Sequence, residues 1–134
     1  MLLLTDLHVT PDDALRDARR RAAELLASGF PEKALAAFQG VLKMTPEDLP
    51  CRQKVAEILR ALGRTREAVL EFETAARLSL RQASLLRTIA LCEDVLQLDP
   101  DHERTRALLS ELRAHRGLPR TDAAPTTDVS RHAA

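Results

Sequence analysis

The chain has no tryptophan or tyrosine, and its 134 residues include only three phenylalanines and four glycines. Alanine, leucine, arginine and glutamate are abundant instead. β-Sheets favour aromatic and β-branched side chains, whereas these four residue types favour helices. The composition therefore predicts an all-α protein, and the length corresponds to one domain.

An excess of charge of either sign is also missing, because twenty acidic and twenty basic side chains give a formal net charge of zero. A balanced chain has no global field to attract nucleic acid or an anionic membrane. The short basic run Arg19–Arg21 is more typical of a solvated helix face than of a nucleic-acid patch. Single-stranded nucleic acid would also need stacking aromatics, which are lacking. We expect neither nucleic acid nor a membrane as a partner.

Cysteine is scarce, and Cys51 and Cys92 lie far apart without a second Cys or His at ligand spacing. This pattern argues against a disulfide framework or a zinc site and predicts reduced thiols in a cytoplasmic protein. No apolar run approaches the roughly 20 residues of a membrane span. The opening MLLLTDLHV lacks a basic start and is interrupted by Asp6, so we do not expect it to be a signal peptide.

The sequence also lacks the residue sets that catalysis requires. It has no glycine-rich phosphate loop, no Ser–His–Asp candidate and no metal-binding pair. Its four histidines fall at the termini or on the last predicted helix. We therefore expect a protein that is not an enzyme and needs no cofactor or metal.

Helix caps and apolar periodicity predict about six helices. They run from the cap Thr10 to Gly29, from about Pro31 to Met44, from Pro46 or Glu47 to Leu62, from Thr65 to an unclear end, from about Gln82 to Leu98, and from about Asp101 to Arg116. Residues 10–117 form the predicted helical domain, residues 1–9 an N-terminal extension and residues 118–134 a disordered tail. The extension is expected either to cover the apolar edge of the first hairpin or to dock on a partner.

Two stretches of the sequence repeat one pattern. GFPEKALAAF, residues 29–38, and GRTREAVLEF, residues 63–72, share their Gly, Ala and Phe at the same internal spacing. The matching pairs are Gly29 and Gly63, Ala22 and Ala56, Leu25 and Leu59, Ala34 and Ala68, and Phe38 and Phe72. Their common offset is the period of a two-helix repeat, about 34 residues. A helical hairpin explains the pairs, because the glycines turn the chain, the alanines allow close helix contact and the phenylalanines fill the space between hairpins.

At these residues the chain resembles the tetratricopeptide repeat (TPR) family over residues 12–117, and Pro46 and Pro100 match the family's closing proline. The resemblance implies a solenoid of helical hairpins. The aromatic residues usual in the family's first helix are absent. Ala18 and Arg52, and Leu25 and Leu59, take their places.

The third unit departs from the period. The distance from Gly63 to Gly117 falls short of two full periods by the length of one helix. We infer that a first helix is missing, that the fourth helix closes the second repeat and opens the third, and that the sixth is a capping helix. The charged side chains expected to face outward on it are Glu103, Arg104, Arg106, Glu111 and Arg113. Such an arrangement resembles repeat segments of some bacterial multidomain signalling proteins.

The resemblance also implies a binding site, because in this family the first helix of each hairpin lines a concave groove that holds peptides. The residues at the corresponding positions are Arg16, Arg19, Ala23, Leu26, Gln53, Glu57, Arg60, Glu73 and Arg77. Family members that clamp a C-terminal carboxylate use an Asn where this chain has Ala23 and Glu57, so we do not expect that mode. The alternatives are that these charges only keep the solenoid soluble or that binding uses the convex face.

The sequence thus favours a non-catalytic scaffold or adaptor that binds a peptide or helix of another protein. The alternative is a TPR-type secretion chaperone or an inhibitory regulator of a single client. A contracted unit can leave an edge that pairs with itself, so a homo-oligomer is a further expectation. Reversing Arg16, Arg19 and Arg60 together is expected to weaken partner capture without lowering thermal stability.

Overall fold

In the computed structural model, the described part of the chain is residues 10–115, which form six α-helices and no strand. The helices are α1 (Pro11–Ala27), α2 (Pro31–Met44), α3 (Leu49–Ala61), α4 (Thr65–Arg81), α5 (Leu85–Leu98) and α6 (Glu103–His115). The expected all-α fold of about six helices is confirmed. The N-terminal extension and the C-terminal tail expected from the sequence lie outside the described residues.

Local signals account for both ends of α1. The Thr10 side chain accepts a hydrogen bond from the Asp13 backbone N–H at 3.1 Å, which is the expected N-cap. Gly29 ends the helix with φ of 87°, and Gly63 follows α3 with φ of 78°. L-residues rarely adopt this left-handed conformation, so the two glycines fulfil the turn role predicted for them.

The start predicted for the third helix was wrong. Pro46 and Glu47 lie in a turn, and α3 begins only at Leu49. The reason is Asp48, whose Oδ1 accepts a hydrogen bond from the Cys51 backbone N–H at 3.1 Å. A capping carboxylate at this position satisfies one of the otherwise unpaired N–H groups of the first turn, so the helix begins after it.

The starts of the last two helices also differ from prediction. The chain turns at residues 82–84 and α5 begins at Leu85 rather than Gln82, while α6 covers Glu103–His115 rather than starting at Asp101. Ala83 makes the first of these turns with φ of 59°. Its N–H donates to the Leu80 carbonyl at 2.9 Å, as the Gly63 N–H donates to the Arg60 carbonyl at 3.0 Å. Ala83 therefore occupies the position of the two turn glycines.

The helix bounds show the repeat and its contraction directly. The start of α4 follows the start of α2 by the same offset that separates Gly63 from Gly29. One such period after the end of α3, however, the chain is already inside α5. α5 has the length of α2, and α6 has the length of α3. Each begins the same number of residues after its counterpart, and this offset is larger than the repeat period. Leu80 stands one period after Pro46, so no proline stops α4 there. The contracted third repeat is confirmed, and the double role of α4 remains a prediction.

The described residues divide into two compact units, one up to Thr74 and one from Ala75. In the first unit, α1 packs on α2 and α2 packs on α3. Each helix of this unit carries one fully buried alanine, and Phe72 is fully buried as well. These alanines are Ala22, Ala34, Ala56 and Ala68. The small side chains let the helix axes approach closely, as the repeat pattern predicted.

In the second unit, α5 packs on α6 around Leu91, Cys92 and Val95, all fully buried. Two hydroxyl side chains, Ser79 and Thr88, are fully buried too. Thr88 Oγ1 lies 3.0 Å from Ser79 Oγ, and both hydroxyls lie within 3.1 Å of the Ser84 carbonyl oxygen. Thr88 stands where the earlier repeats have Ala34 and Ala68, so this unit replaces an apolar contact by a satisfied polar cluster.

One charge expected to point outward from α6 does not. The Arg113 side chain is only 12% exposed and forms an ion pair with Glu93 on α5. The offset that relates α3 to α6 aligns Arg113 with the buried Leu59, so the repeat places it on the packed face of its helix. The other four charged residues, Glu103, Arg104, Arg106 and Glu111, are exposed as expected.

Candidate binding face

The α1 residues predicted to bind a partner share one side of the helix but differ in exposure. Arg16 and Ala23 are exposed, and Leu26 is half-buried. The Arg16 side chain is 75% exposed and forms an ion pair of 3.2 Å with Asp13 one turn earlier. Such a pair contributes little to stability in water, so Arg16 is available to a partner.

Arg19 is placed differently, because it holds the framework together. Its guanidinium contacts Asp48 Oδ2 at 2.7 Å, and the Asp48 side chain is only 6% exposed. The same carboxylate caps α3 through the Cys51 backbone N–H. A charge-assisted contact to a buried cap is worth more than a surface pair. Arg19 therefore ties α1 to the first turn of α3.

The predicted residues of α3 are all half-buried. Glu57 forms an ion pair with Lys54 at 3.5 Å, with both side chains close to half exposed. The Arg60 guanidinium lies 5.1 Å from the centre of the buried Phe72 ring, within the range of a cation–π contact.

The two α4 residues of the predicted set fall in different units. Glu73 is half-buried and belongs to the first unit, whereas Arg77 is exposed and belongs to the second. Within the first unit, the residues on α1 and α3 form one candidate surface, called here the α1/α3 face. It consists of Arg16, Arg19, Ala23, Leu26, Gln53, Glu57 and Arg60.

These contacts correct the expected behaviour of the triple arginine reversal. An acidic residue at position 19 would face Asp48, and one at position 60 would lose the contact with Phe72. Both changes would lower thermal stability, contrary to the sequence-based expectation. Arg16 alone of the three can be reversed without disturbing a contact of this kind.

A concavity that the sequence reasoning did not identify lies in the first unit and has a volume of about 500 Å³. It is called here the α2 groove, and it is lined by Ala36, Gln39, Gly40, Leu42, Lys43, Arg52 and Glu71. The Arg52 guanidinium donates to Glu71 Oε1 at 2.8 Å and to the Pro46 carbonyl at 2.9 Å. Two signals were available in the sequence: a glycine in mid-helix, and an arginine at a position usually aromatic.

A smaller cleft of about 320 Å³ lies at the C-terminal end of α1. Leu25 and Phe30 supply its apolar part, and Phe30 is 49% exposed. Lys33 lies above the Phe30 ring, with Nζ 5.3 Å from the ring centre. Residues 1–9, which were expected to cover an apolar edge of the first hairpin or to dock on a partner, lie outside the described part of the chain.

The two cysteine thiols of the described residues are both buried. Burial raises the pKa of the Cys51 thiol to about 11, and the nearby Asp48 carboxylate adds to the shift. Burial likewise raises the pKa of the Cys92 thiol to about 11. Both thiols therefore remain protonated at neutral pH, and a protonated thiol is a poor nucleophile and metal ligand. Within residues 10–115 no cluster of three His, Cys, Asp or Glu side chains could hold a metal ion.

No helix in the described range combines the length and the apolarity needed to cross a membrane. No protein-family model matches the chain, and no curated protein matches it in sequence.

Solved structures of low sequence identity resemble the fold. One is the type III secretion chaperone SycD of Yersinia enterocolitica with a peptide of the translocator YopD, at TM-score 0.45 and 16% identity over 78% of this chain and 95% of that one. Another is PcrH with the chaperone-binding region of PopD, at TM-score 0.47 and 18% identity over 82% and 98% of the two chains. A third is a MamA RS-1 double mutant, with a TM-score of 0.46 and 19% identity over 76% of this chain and 65% of that one. No functional assignment follows from likenesses at this level.

Proposed function

We propose that the chain is a non-catalytic protein-interaction module that binds a peptide or helix of another protein along the α1/α3 face. The observation that supports this most directly is the combination of exposed Arg16 and Ala23 with the Arg19–Asp48 contact. That contact holds the two helices in register, so the exposed side chains are positioned before a partner arrives. Preorganisation of this kind lowers the entropic cost of binding.

The charges of the face indicate the kind of partner. The face carries three arginines, of which Arg19 is already paired with Asp48, and its single acidic residue, Glu57, is paired with Lys54. An excess of basic side chains favours an acidic peptide or an acidic stripe on a helix. Charges at the rim of an interface act mainly on the association rate, so binding should weaken as salt is added.

The test is affinity capture from the native cell with mass-spectrometric identification of the bound proteins. Wild-type chain is compared with the double variant Arg16→Glu/Ala23→Glu, which changes the exposed part of the face and leaves Arg19 in place. The matched control is Arg87→Glu/Ala90→Glu on α5, where both residues are also exposed. The proposal predicts that the face variant loses the captured protein and the control retains it. Equal capture by both would place the site elsewhere.

The alternative role, a secretion chaperone or inhibitor of one client, is distinguished by co-expression of the captured protein. An adaptor leaves the solubility of its partner unchanged. A client chaperone turns an otherwise insoluble partner soluble, and the face variant should then fail to do so.

A further inference from the structure

The α2 groove contains a glycine that the described chain itself does not explain. Gly40 lies in the middle of α2, where glycine weakens a helix relative to alanine. A Cβ atom at Gly40 would meet nothing within 4 Å, so no neighbouring group of the described chain requires the absence of a side chain. The missing side chain instead leaves the groove open between Ala36, Gln39 and Lys43. An open, shallow floor suits the close approach of another helix.

The charge order along the same side of α2 indicates which helix. Glu32 lies in the first turn and Lys43 in the last, both exposed, with Ala36 and Gly40 between them. At about 100° per residue, these four positions fall within one quadrant of the helix surface. A second α2 running antiparallel would bring each Glu32 opposite the Lys43 of the other copy. A parallel arrangement would place like charges together.

We propose that the α2 groove is a self-association surface, on which α2 of a second copy of this chain packs antiparallel about a two-fold axis. The surface is self-complementary, as an isologous interface requires, because one helix carries both charges and the small residues between them. Ala36 and Gly40 let the two helix axes come close, and the two Glu32–Lys43 pairs fix direction and register. The inference does not depend on the α1/α3 face.

Sedimentation equilibrium of the purified chain tests the proposal, since the expected wild-type species has twice the monomer mass. Gly40→Leu fills the groove from a position with free space around it, so we expect a folded monomer with unchanged helical circular dichroism. Glu32→Lys and Lys43→Glu each place like charges opposite one another and should raise the dimer Kd at least about tenfold. The double variant Glu32→Lys/Lys43→Glu restores opposite charges and should restore the dimer. Arg87→Glu, an exposed reversal on α5, is the control and should leave the dimer intact.

Two results would overturn the proposal. One is a wild-type chain that stays monomeric into the high micromolar range. The other is a dimer that survives Gly40→Leu, or whose single charge reversals are not rescued by the double variant. If Gly40→Leu failed to fold, the charge-swap series alone would still decide, because Glu32 and Lys43 are exposed and their reversal leaves the core unchanged.

Discussion

Replacing Ala83 by glycine should stabilise the protein, although glycine usually weakens a fold. Ala83 holds φ of 59°, where Gly29 and Gly63 occupy the equivalent turns at 87° and 78°. The left-handed conformation costs an L-residue about 1–2 kcal/mol. Glycine removes this cost but adds about 0.4–1 kcal/mol of unfolded-state entropy to be lost on folding. The central values give a gain of about 0.8 kcal/mol in the free energy of unfolding, between limits of about 0 and 1.6 kcal/mol.

Urea denaturation followed by circular dichroism measures this gain. With an m-value of about 2 kcal/mol/M, the midpoint of Ala83→Gly should rise by about 0.4 M. The control is Ala90→Gly at an exposed site inside α5, which should lower the free energy of unfolding by about 1 kcal/mol. The converse variant Gly63→Ala meets no neighbour within 4 Å, so its loss measures the backbone strain less the unfolded-state entropy that alanine removes, without a steric clash. If Ala83→Gly destabilised the protein as Ala90→Gly does, Ala83 would not be a turn residue equivalent to the two glycines.

Three further changes test groups that lie within one unit or the other. Asp48→Ala should cost about 2 kcal/mol in urea unfolding, and Asp48→Asn clearly less, because asparagine keeps the helix cap and loses only the charge; equal losses would contradict a capping role. Thr88→Val leaves the buried Ser79 hydroxyl with one partner fewer and should cost about 1–2 kcal/mol. The double variant Thr88→Val/Ser79→Ala should cost less than the sum of the two single losses, and strict additivity would contradict a coupled pair. The pKa values of Cys51 and Cys92 are raised in the folded state, so their contribution to stability should be constant below about pH 9 and fall towards pH 11 as the unfolded thiols ionise first. The free energy of unfolding should fall by about 2 kcal/mol per thiol over this range. The double variant Cys51→Ala/Cys92→Ala should lose this pH dependence, and a dependence that persisted would belong to other groups.

The sequence predicted the repeat well because its signals are local and carried by distinctive residue types. Gly29 and Gly63 mark turns that few other residues tolerate, and the shortened distance to Gly117 was enough to infer the contracted unit. Ala83 gives no such signal, because alanine normally favours a helix, so the sequence predicts a start of α5 that is too early. Pro46 and Glu47 predict a start of α3 that is too early, because the hydrogen bond by which Asp48 caps the helix is visible only in the structure.

The site was harder to predict because it depends on contacts between residues far apart in sequence. Nothing near Arg19 in the sequence indicates its contact with Asp48. Arg113 looks like a surface residue until the offset between α3 and α6 aligns it with buried Leu59. Arg52 and Glu71 meet in the α2 groove from different helices, so only the fold brings them together. Periodicity identifies which side of a helix a residue occupies, but not whether its charge is already paired.

Amide chemical-shift mapping of the labelled chain with its captured partner tests the α1/α3 face most directly. The account predicts that the largest shifts on binding occur along α1 and α3, around Arg16, Ala23, Gln53 and Glu57. The titration should give a Kd that rises with salt, and Arg16→Glu/Ala23→Glu should raise it at least about tenfold. Shifts confined to α2 and α5, with the α1 and α3 amides unmoved, would contradict the proposed function.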